Sequence, residues 1–325
     1  MKTKDVIKVA LVGARGYVGF ELIKLIDKHP KTQLIAAYSR EYDGKCVAEI
    51  VKDYPDKELR YCADELEDLA DKDLDVIFLA LPNGIAAKNH QLWLKISKNI
   101  VIIDLSSDFR FDDKWTYGQP ETRQKEIVGK KLIANPGCYA TASQLGLLPI
   151  VDLLDGTPSI FGVSGYSGAG SKPSDKNNPK LLKDNLMPYK LVDHIHENEV
   201  SYVLDHSVYL MPHVAEFFRG INLTASIKLK EEKTENEIFK IYQDYYKEFE
   251  LIKVTQKIPE VSQVQNTHNV IIGGFTIKDK HLVVCACIDN LLKGAATQGI
   301  QNMNLAFGEE MNLGIEGGCK LIISL

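Results

Sequence analysis

Cys138 stands in the stretch ANPGCYAT, directly after a Pro-Gly pair and at the start of a helical pattern. A thiol in that position faces the positive end of a helix, where the thiolate is favoured. A thiolate attacks activated acyl groups. Two other stretches hold side chains able to move its proton: DHIHENEV, with His194 and His196, and YLMPHVAEFFRGI, with His213 and Arg219. Histidine is the usual acid/base partner in such chemistry. The HxH pair has no third ligand at a convincing spacing, so no metal site is read.

A second signal lies near the start. Gly13-Ala14-Arg15-Gly16-Tyr17-Val18-Gly19 separates the apolar run VIKVALV from the helical pattern YVGFELIKLIDKH. A pyrophosphate can sit at such a helix start, held by backbone N–H groups and the helix dipole. In this reading Gly13 makes the turn, Gly16 allows close approach, and Gly19 lets the helix pack on the sheet. The spacing is GxxGxxG rather than GxGxxG, and its place in the first βαβ unit carries the argument. Folds of this kind that prefer NAD place Asp or Glu at the end of the second strand. Here that position holds Tyr38-Ser39-Arg40. A hydroxyl and a guanidinium suit a 2′-phosphate, so NADP is expected. An attacking thiolate with a nicotinamide defines a reaction class: sulfur takes an acyl group as a thioester, and hydride reduces it to an aldehyde.

The elements that must position these groups follow an α/β rhythm. VIKVALV, TQLIAAYS, LDVIFLALPNG and NIVIIDLS read as strands, alternating with helical patterns over 17–29 and about 86–97. That order predicts a Rossmann-type, doubly wound parallel sheet. After Cys138 the strands lengthen and look antiparallel: SIFGVSGYSG, GINLTASIKL, HNVIIGGFTI and HLVVCACI, the last two joined by a tight turn at Lys278-Asp279-Lys280. A second, α+β domain with a mixed or antiparallel sheet is expected over 139–291. Residues 1–138 and 292–325 are expected to form the cofactor domain, with the final helix returning to it. GSKPSDKNNPK is the most loop-like segment.

Bulk properties narrow the class. The chain has 325 residues, 45% of them hydrophobic and 26% charged, with a formal net charge of −5. That balance gives no bulk attraction to nucleic acid or acidic lipid. No apolar stretch approaches the ~18 residues a bilayer span needs. The N-terminal apolar run is short and leads into the glycines, so it reads as a strand rather than a signal peptide. Six cysteines without paired spacing suggest reduced thiols and a cytoplasmic location. Cys285 and Cys287 read as buried core.

At this point the motifs carry a family resemblance. GARGYVG, ALPNG, DLSSDFRF, YGQPE, NPGCYAT, SGYSGAG, HIHENEV, PHVAEFFRGI and DNLLKGAATQGIQNMNLAFG run nearly end to end. With them the chain resembles the N-acetyl-gamma-glutamyl-phosphate reductase family, related to aspartate-semialdehyde dehydrogenase. The resemblance implies that Cys138 is the nucleophile and His196 the acid/base. It places His213 and Arg219 at the substrate site. Ser39 and Arg40 match the 2′-phosphate contacts, Pro82 and the glycine loop the cofactor site, and Asn302 a contact near the nicotinamide. Arg110, Lys172 and Arg219 are candidates for a substrate carboxylate or phosphate. The sequence departs from the family pattern at Ile195, at Asn198-Glu199-Val200, at Ser171-Lys172 and at Gln119, mostly in expected substrate-side loops.

The implied activity is NADPH-dependent reduction of N-acetyl-gamma-glutamyl phosphate to N-acetylglutamate 5-semialdehyde, a step of arginine biosynthesis. A homodimer or homotetramer through the second domain's sheet is also implied. Three alternatives stay open: the same chemistry on another N-acyl amino acid phosphate, such as an aminoadipyl or carrier-linked one; aspartate-semialdehyde dehydrogenase; and an NADP-binding redox sensor that uses Cys138 without turnover.

Overall fold

The computed structural model describes residues 4–315. They divide into two compact units, residues 4–137 with 295–315, and residues 138–294. The part of the expected cofactor domain beyond residue 315 lies outside the described residues.

The first unit is a seven-stranded sheet in the order β3-β2-β1-β4-β5-β7-β6. Its strands are β1 (Ile7–Val12), β2 (Thr32–Tyr38), β3 (Tyr61–Cys62), β4 (Val76–Leu79), β5 (Val101–Asp104), β6 (Thr116–Tyr117) and β7 (Leu132–Ala134). Every pairing is parallel. β4 and β5 are buried at every position, as expected of strands covered on both faces. The helices are α1 (Tyr17–Lys28), α2 (His90–Ile96), α3 (Pro120–Ile127) and, from the end of the chain, α7 (Thr297–Phe307). α7 packs on α1, α3 and β5. The order of strands reverses at β1, with β2 on one side and β4 on the other. The glycine turn follows β1 and therefore sits at the switch point, where open α/β sheets bind ligands.

The helix expected over about 86–97 is broken. A single turn, Ile85–Lys88, precedes α2. The carbonyl of Ala86, which a continuous helix would pair with residue 90, instead accepts from the Asn89 amide at 3.0 Å and from the Trp93 indole at 2.9 Å. Burial of Trp93, which is fully enclosed, decides this. β3 and β6 were not legible because two residues show no period.

The second unit holds another seven-stranded sheet, β12-β13-β14-β11-β8-β10-β9. Its strands are β8 (Ser159–Gly165), β9 (Leu186–Pro188), β10 (Tyr209–Ala215), β11 (Ile221–Lys228), β12 (Ile252–Val254), β13 (Val270–Lys278) and β14 (His281–Ile288). Pairings are mixed, parallel for β8/β10 and β12/β13 and antiparallel otherwise. One face carries α4 (Cys138–Leu147), α5 (Ile195–Leu204) and α6 (Glu235–Tyr246), around a core that includes Tyr139, Leu145, Ile160, Leu223, Tyr242 and Ala286. Period-2 alternation sends Phe161, Met211, His213 and Cys285 to the opposite face. Cys287 is buried there beside Val264 and Ile271. The segment 170–180 forms a capped turn, Asp175–Asn177, in which Ser174 and Asn177 cap each other reciprocally, rather than a featureless loop.

The turn after β1 generates a stability prediction. Gly13 has φ +89°, and a Cβ there would lie 2.2 Å from the Ala80 carbonyl oxygen. Gly44 has φ +75° with nothing within 4 Å of such a Cβ. Gly44→Ala should therefore cost about 1–2 kcal/mol of left-handed strain, and Gly13→Ala clearly more. Equal losses in thermal unfolding would mean that the Ala80 carbonyl does not crowd the turn.

Candidate active site

The cofactor residues expected in the first unit gather at the C-terminal edge of its sheet. The amides of Gly13 and Ala14 donate to the Tyr38 carbonyl at 3.2 and 3.1 Å, tying the turn to β2. Gly16 is the N-cap of α1, and the helix has neither a side-chain cap nor an acidic residue in its first turn. Tyr17 and Val18 open that turn. A Cβ on Gly16 would meet only the Gly13 carbonyl oxygen, at 3.6 Å, so the space beyond is open. A Cβ on Gly19 would lie 2.7 Å from the Gly13 oxygen and 2.8 Å from Ala14 backbone atoms. Gly19 thus lets the helix approach the turn, rather than the sheet. A helix start without its own cap fits a diphosphate.

The other cofactor candidates lie on neighbouring strand ends and, for Asn302, on α7. Ser39 is buried, and its Oγ accepts the Tyr42 amide at 3.2 Å, which leaves its hydroxyl proton to donate. Arg40 is exposed. Arg15 pairs with Glu41 at 2.7 Å, so its side chain leans toward the end of β2. Pro82 opens the turn after β4, accepting the Ile85 amide. Asn302 has no solvent exposure. Its Nδ2 donates to the Gly118 carbonyl and to Asn135 Oδ1, both at 2.9 Å, while its Oδ1 has no partner among the described residues. A buried acceptor of that kind fits the amide of a nicotinamide.

Arg110 lies inside the first unit. It is 6% exposed, with Nε donating to the Asn135 carbonyl and a terminal nitrogen to the Leu105 carbonyl. Those carbonyls end β7 and β5, and their need for donors turns the guanidinium inward. Nearby, burial pushes the Asp104 carboxyl up to about 6, against two hydrogen bonds from Ser106. Gln119 is fully buried and donates to Glu121, so that departure is absorbed inside the first unit.

In the second unit Cys138 is the first residue of α4 and half-buried. Gly294 packs on it, and a Cβ at 294 would lie 2.8 Å from Cys138 Cβ. Gly294 belongs to a turn of π-helix, Leu292–Ala296, that follows Asp289. Asp289 Oδ1 accepts the amides of Leu291 and Leu292, and its backbone oxygen accepts that of Gly294. Arg219 donates to both oxygens of Asp289, at 2.6 and 3.0 Å, and to Asn266 at 2.8 Å. Asn290 receives the Gly220 amide and donates to Ser167. Arg219, expected at the substrate, is thus held in a buried, bidentate pair that braces the wall behind the cysteine. Asp289, Asn290 and Gly294 were missed as site residues. Their signal was the run DNLLKG, which reads as the start of a helix until its buried carboxylate is seen.

Tyr139 follows Cys138 and lies against Gly162 of β8, its hydroxyl donating to the His213 carbonyl at 2.8 Å. Its ring centroid is 6.1 Å from that of His196 and 6.3 Å from that of His194. Tyr189 completes the group, 5.7 Å from His194, with Lys176 4.7 Å above its ring. Burial, followed by neighbouring negative groups including Cys138, pushes both phenols up, so each keeps its proton. His194 is pushed down to about 4, by burial first and then by Lys176 and Lys190. Its neutral form is therefore held in place at pH 6.5 and above, and lost only as pH falls through about 4.

Strand geometry places His213. Only its carbonyl faces the group around Tyr139. Its ring packs on Phe161, at 4.4 Å, on the far face of the sheet from α4 and α5. Of the two acid/base candidates the second unit brings only His196 to the cysteine's side. Lys172 is exposed, on the loop where Asn177 donates to its carbonyl. Among the described residues no group of three or more His, Cys, Asp or Glu could hold a metal ion.

The pair behind the cysteine can be tested directly. Arg219→Ala leaves Asp289 buried and unpaired, which should cost about 3–5 kcal/mol in urea unfolding. An unchanged unfolding midpoint together with a raised KM would return Arg219 to the substrate.

Comparison with known proteins agrees with this architecture. Residues 8–130 match the semialdehyde dehydrogenase NAD binding domain, and residues 138–290 the semialdehyde dehydrogenase dimerisation domain. The chain is 50% identical over 302 residues to the N-acetyl-gamma-glutamyl-phosphate reductase of Xanthomonas oryzae, covering 92% of this chain and 95% of that one. It is 48% identical over 308 residues to a bifunctional mitochondrial protein, argC, of Dictyostelium discoideum, covering 93% of this chain and 36% of that one. The fold is shared with aspartate semialdehyde dehydrogenase II of Vibrio cholerae, solved with ASA, at a TM-score of 0.77, 18% identity and coverage of 93% and 98%. An NAD binding domain followed by a semialdehyde dehydrogenase dimerisation domain, with half of the 302 aligned residues identical to those of such a reductase, places this chain in the N-acetyl-gamma-glutamyl-phosphate reductase family of semialdehyde dehydrogenases.

Proposed function

We propose that this protein reduces N-acetyl-gamma-glutamyl phosphate to N-acetylglutamate 5-semialdehyde with NADPH, releasing inorganic phosphate. The observation that carries the reading is Cys138 as the first residue of α4, backed by Gly294 and on the same side of its sheet as His196. The helix start favours the thiolate. His196 takes the thiol proton, the sulfur attacks the acyl carbon, and phosphate leaves with its bonding electrons. A thioester on Cys138 remains. The turn of Gly13, Gly16 and Gly19 would hold the dinucleotide, whose reduced nicotinamide would supply the hydride that brings this acyl group to the aldehyde level. His196 then returns a proton to sulfur as the thiohemiacetal collapses and the aldehyde departs. Backbone N–H groups at the start of α4 suit the developing oxyanion.

In the same reading Ser39 and Arg40 recognise the 2′-phosphate, Asn302 the nicotinamide, and Lys172 an acidic group of the substrate. Residues 4–137 with 295–315 act as the cofactor domain and 138–294, which begin at Cys138, as the catalytic and assembly domain. The open sheet face, which exposes Phe161 and Tyr209, supports a homodimer or homotetramer. A cytoplasmic location accords with free thiols at the five described cysteines, Cys46, Cys62, Cys138, Cys285 and Cys287. No helix of the described residues is long and apolar enough to cross a membrane.

The deciding assay is phosphate-dependent reduction of NADP by N-acetylglutamate semialdehyde, run beside aspartate and N-acyl-aminoadipate semialdehydes. Preference for either of the latter would overturn the substrate assignment. Cys138→Ser should abolish turnover while NADPH still binds, and substrate should protect Cys138 from alkylation before the other thiols. Arg40→Ala should weaken NADPH roughly ten- to a hundredfold while sparing NADH, as expected for a lost charged hydrogen bond. Equal weakening of both would remove Arg40 from the 2′-phosphate.

A further inference from the structure

The HxH segment contains an imidazole that the chemistry above does not use. His194 is the N-cap of α5, with φ −66° and ψ 139°, and its Nδ1 accepts the backbone N–H of His196 at 3.2 Å. N-caps are usually Ser, Thr, Asp or Asn, whose short side chains reach back to the N2 or N3 amide. An imidazole Nδ1 stands two bonds from Cβ, as an Asn Oδ1 does, and can make the same bond. Because Nδ1 accepts, the ring proton of the neutral form resides on Nε2.

The surroundings hold this arrangement. His194 is 8% exposed. Its ring meets Tyr139 from α4, Tyr189 from the segment after β9, and His196 itself at 4.9 Å, each near edge-on. The charged groups felt there are Lys176 and Lys190, both positive, which oppose protonation of the ring. The capped amide belongs to the residue proposed as acid/base. One hydrogen bond therefore fixes both the start of α5 and the direction in which the His196 side chain leaves the backbone.

We propose that His194 is a positioning residue, a neutral imidazole cap that aims His196. The proposal rests on the reading of His196 as the acid/base, and its test separates the two. His194→Asn keeps a capping acceptor but loses the ring; His194→Ala loses both. The titration of His196, followed through its Cε1 proton by NMR in the free protein, should stay in place in His194→Asn and move in His194→Ala. In turnover, kcat should fall by no more than a few-fold in His194→Asn with the pH profile kept. In His194→Ala it should fall ten- to a hundredfold with one limb displaced and KM little changed. A His194→Asn protein as impaired as His194→Ala, or a His194→Ala protein with unaltered titration, overturns the proposal. If His194→Ala does not fold, His194→Asn decides alone: rescue supports the cap, and an inactive folded protein refutes it. His196→Asn reports separately on the acid/base reading, through the presence or loss of its limb of the pH profile.

Discussion

The side chain of Asp289 has no solvent exposure, yet it receives the guanidinium of Arg219 and backbone N–H groups of Asn266, Leu291 and Leu292. A carboxylate so enclosed persists only with its charge matched and its lone pairs filled. Meeting both needs forces the chain after β14 into a tight turn and delivers the backbone of Gly294 against Cys138. The back of Cys138 is therefore set by an ion pair between the end of β14 and the segment entering β11.

Around the cysteine the second unit favours uncharged partners. The phenols of Tyr139 and Tyr189 keep their protons, and His194 is held neutral by burial and two lysines. Three side chains close to the cysteine are thereby fixed in one protonation state near neutral pH.

The first unit solves a different problem with backbone. Its glycine turn offers amides rather than side chains, and the helix behind it has no cap of its own. The buried amide of Asn302 joins α7 to the ends of β6 and β7 through Gly118 and Asn135, and retains one acceptor for a ligand. Both features are costly in isolation, and both fit the cofactor role proposed for this unit.

Much was legible in the sequence because local chemistry has local signatures. The continuous apolar strands, the glycine turn, the Pro-Gly pair before Cys138 and the tight turn at Asp279 are properties of a few consecutive residues. So is Ser39-Arg40 in place of an acidic residue. What tertiary structure decided concerns direction and partners. Nothing in YLMPHVAEFFRGI tells which face of a sheet His213 will take, because alternation fixes faces only relative to a core that other strands define. Arg219 and Arg110 looked like free cations, but their guanidiniums answer acceptors seventy and twenty-five residues away, Asp289 and the Asn135 carbonyl. HIH gave two equivalent imidazoles, and only the start of α5 made one of them a cap and the other its beneficiary. Sequence by itself determined the fold class, together with the glycine turn after β1 and the start of a helix at Cys138, since these follow from short-range backbone preferences. The partners and directions of the charged and imidazole side chains were decided by burial, which depends on distant segments meeting and so has no local trace.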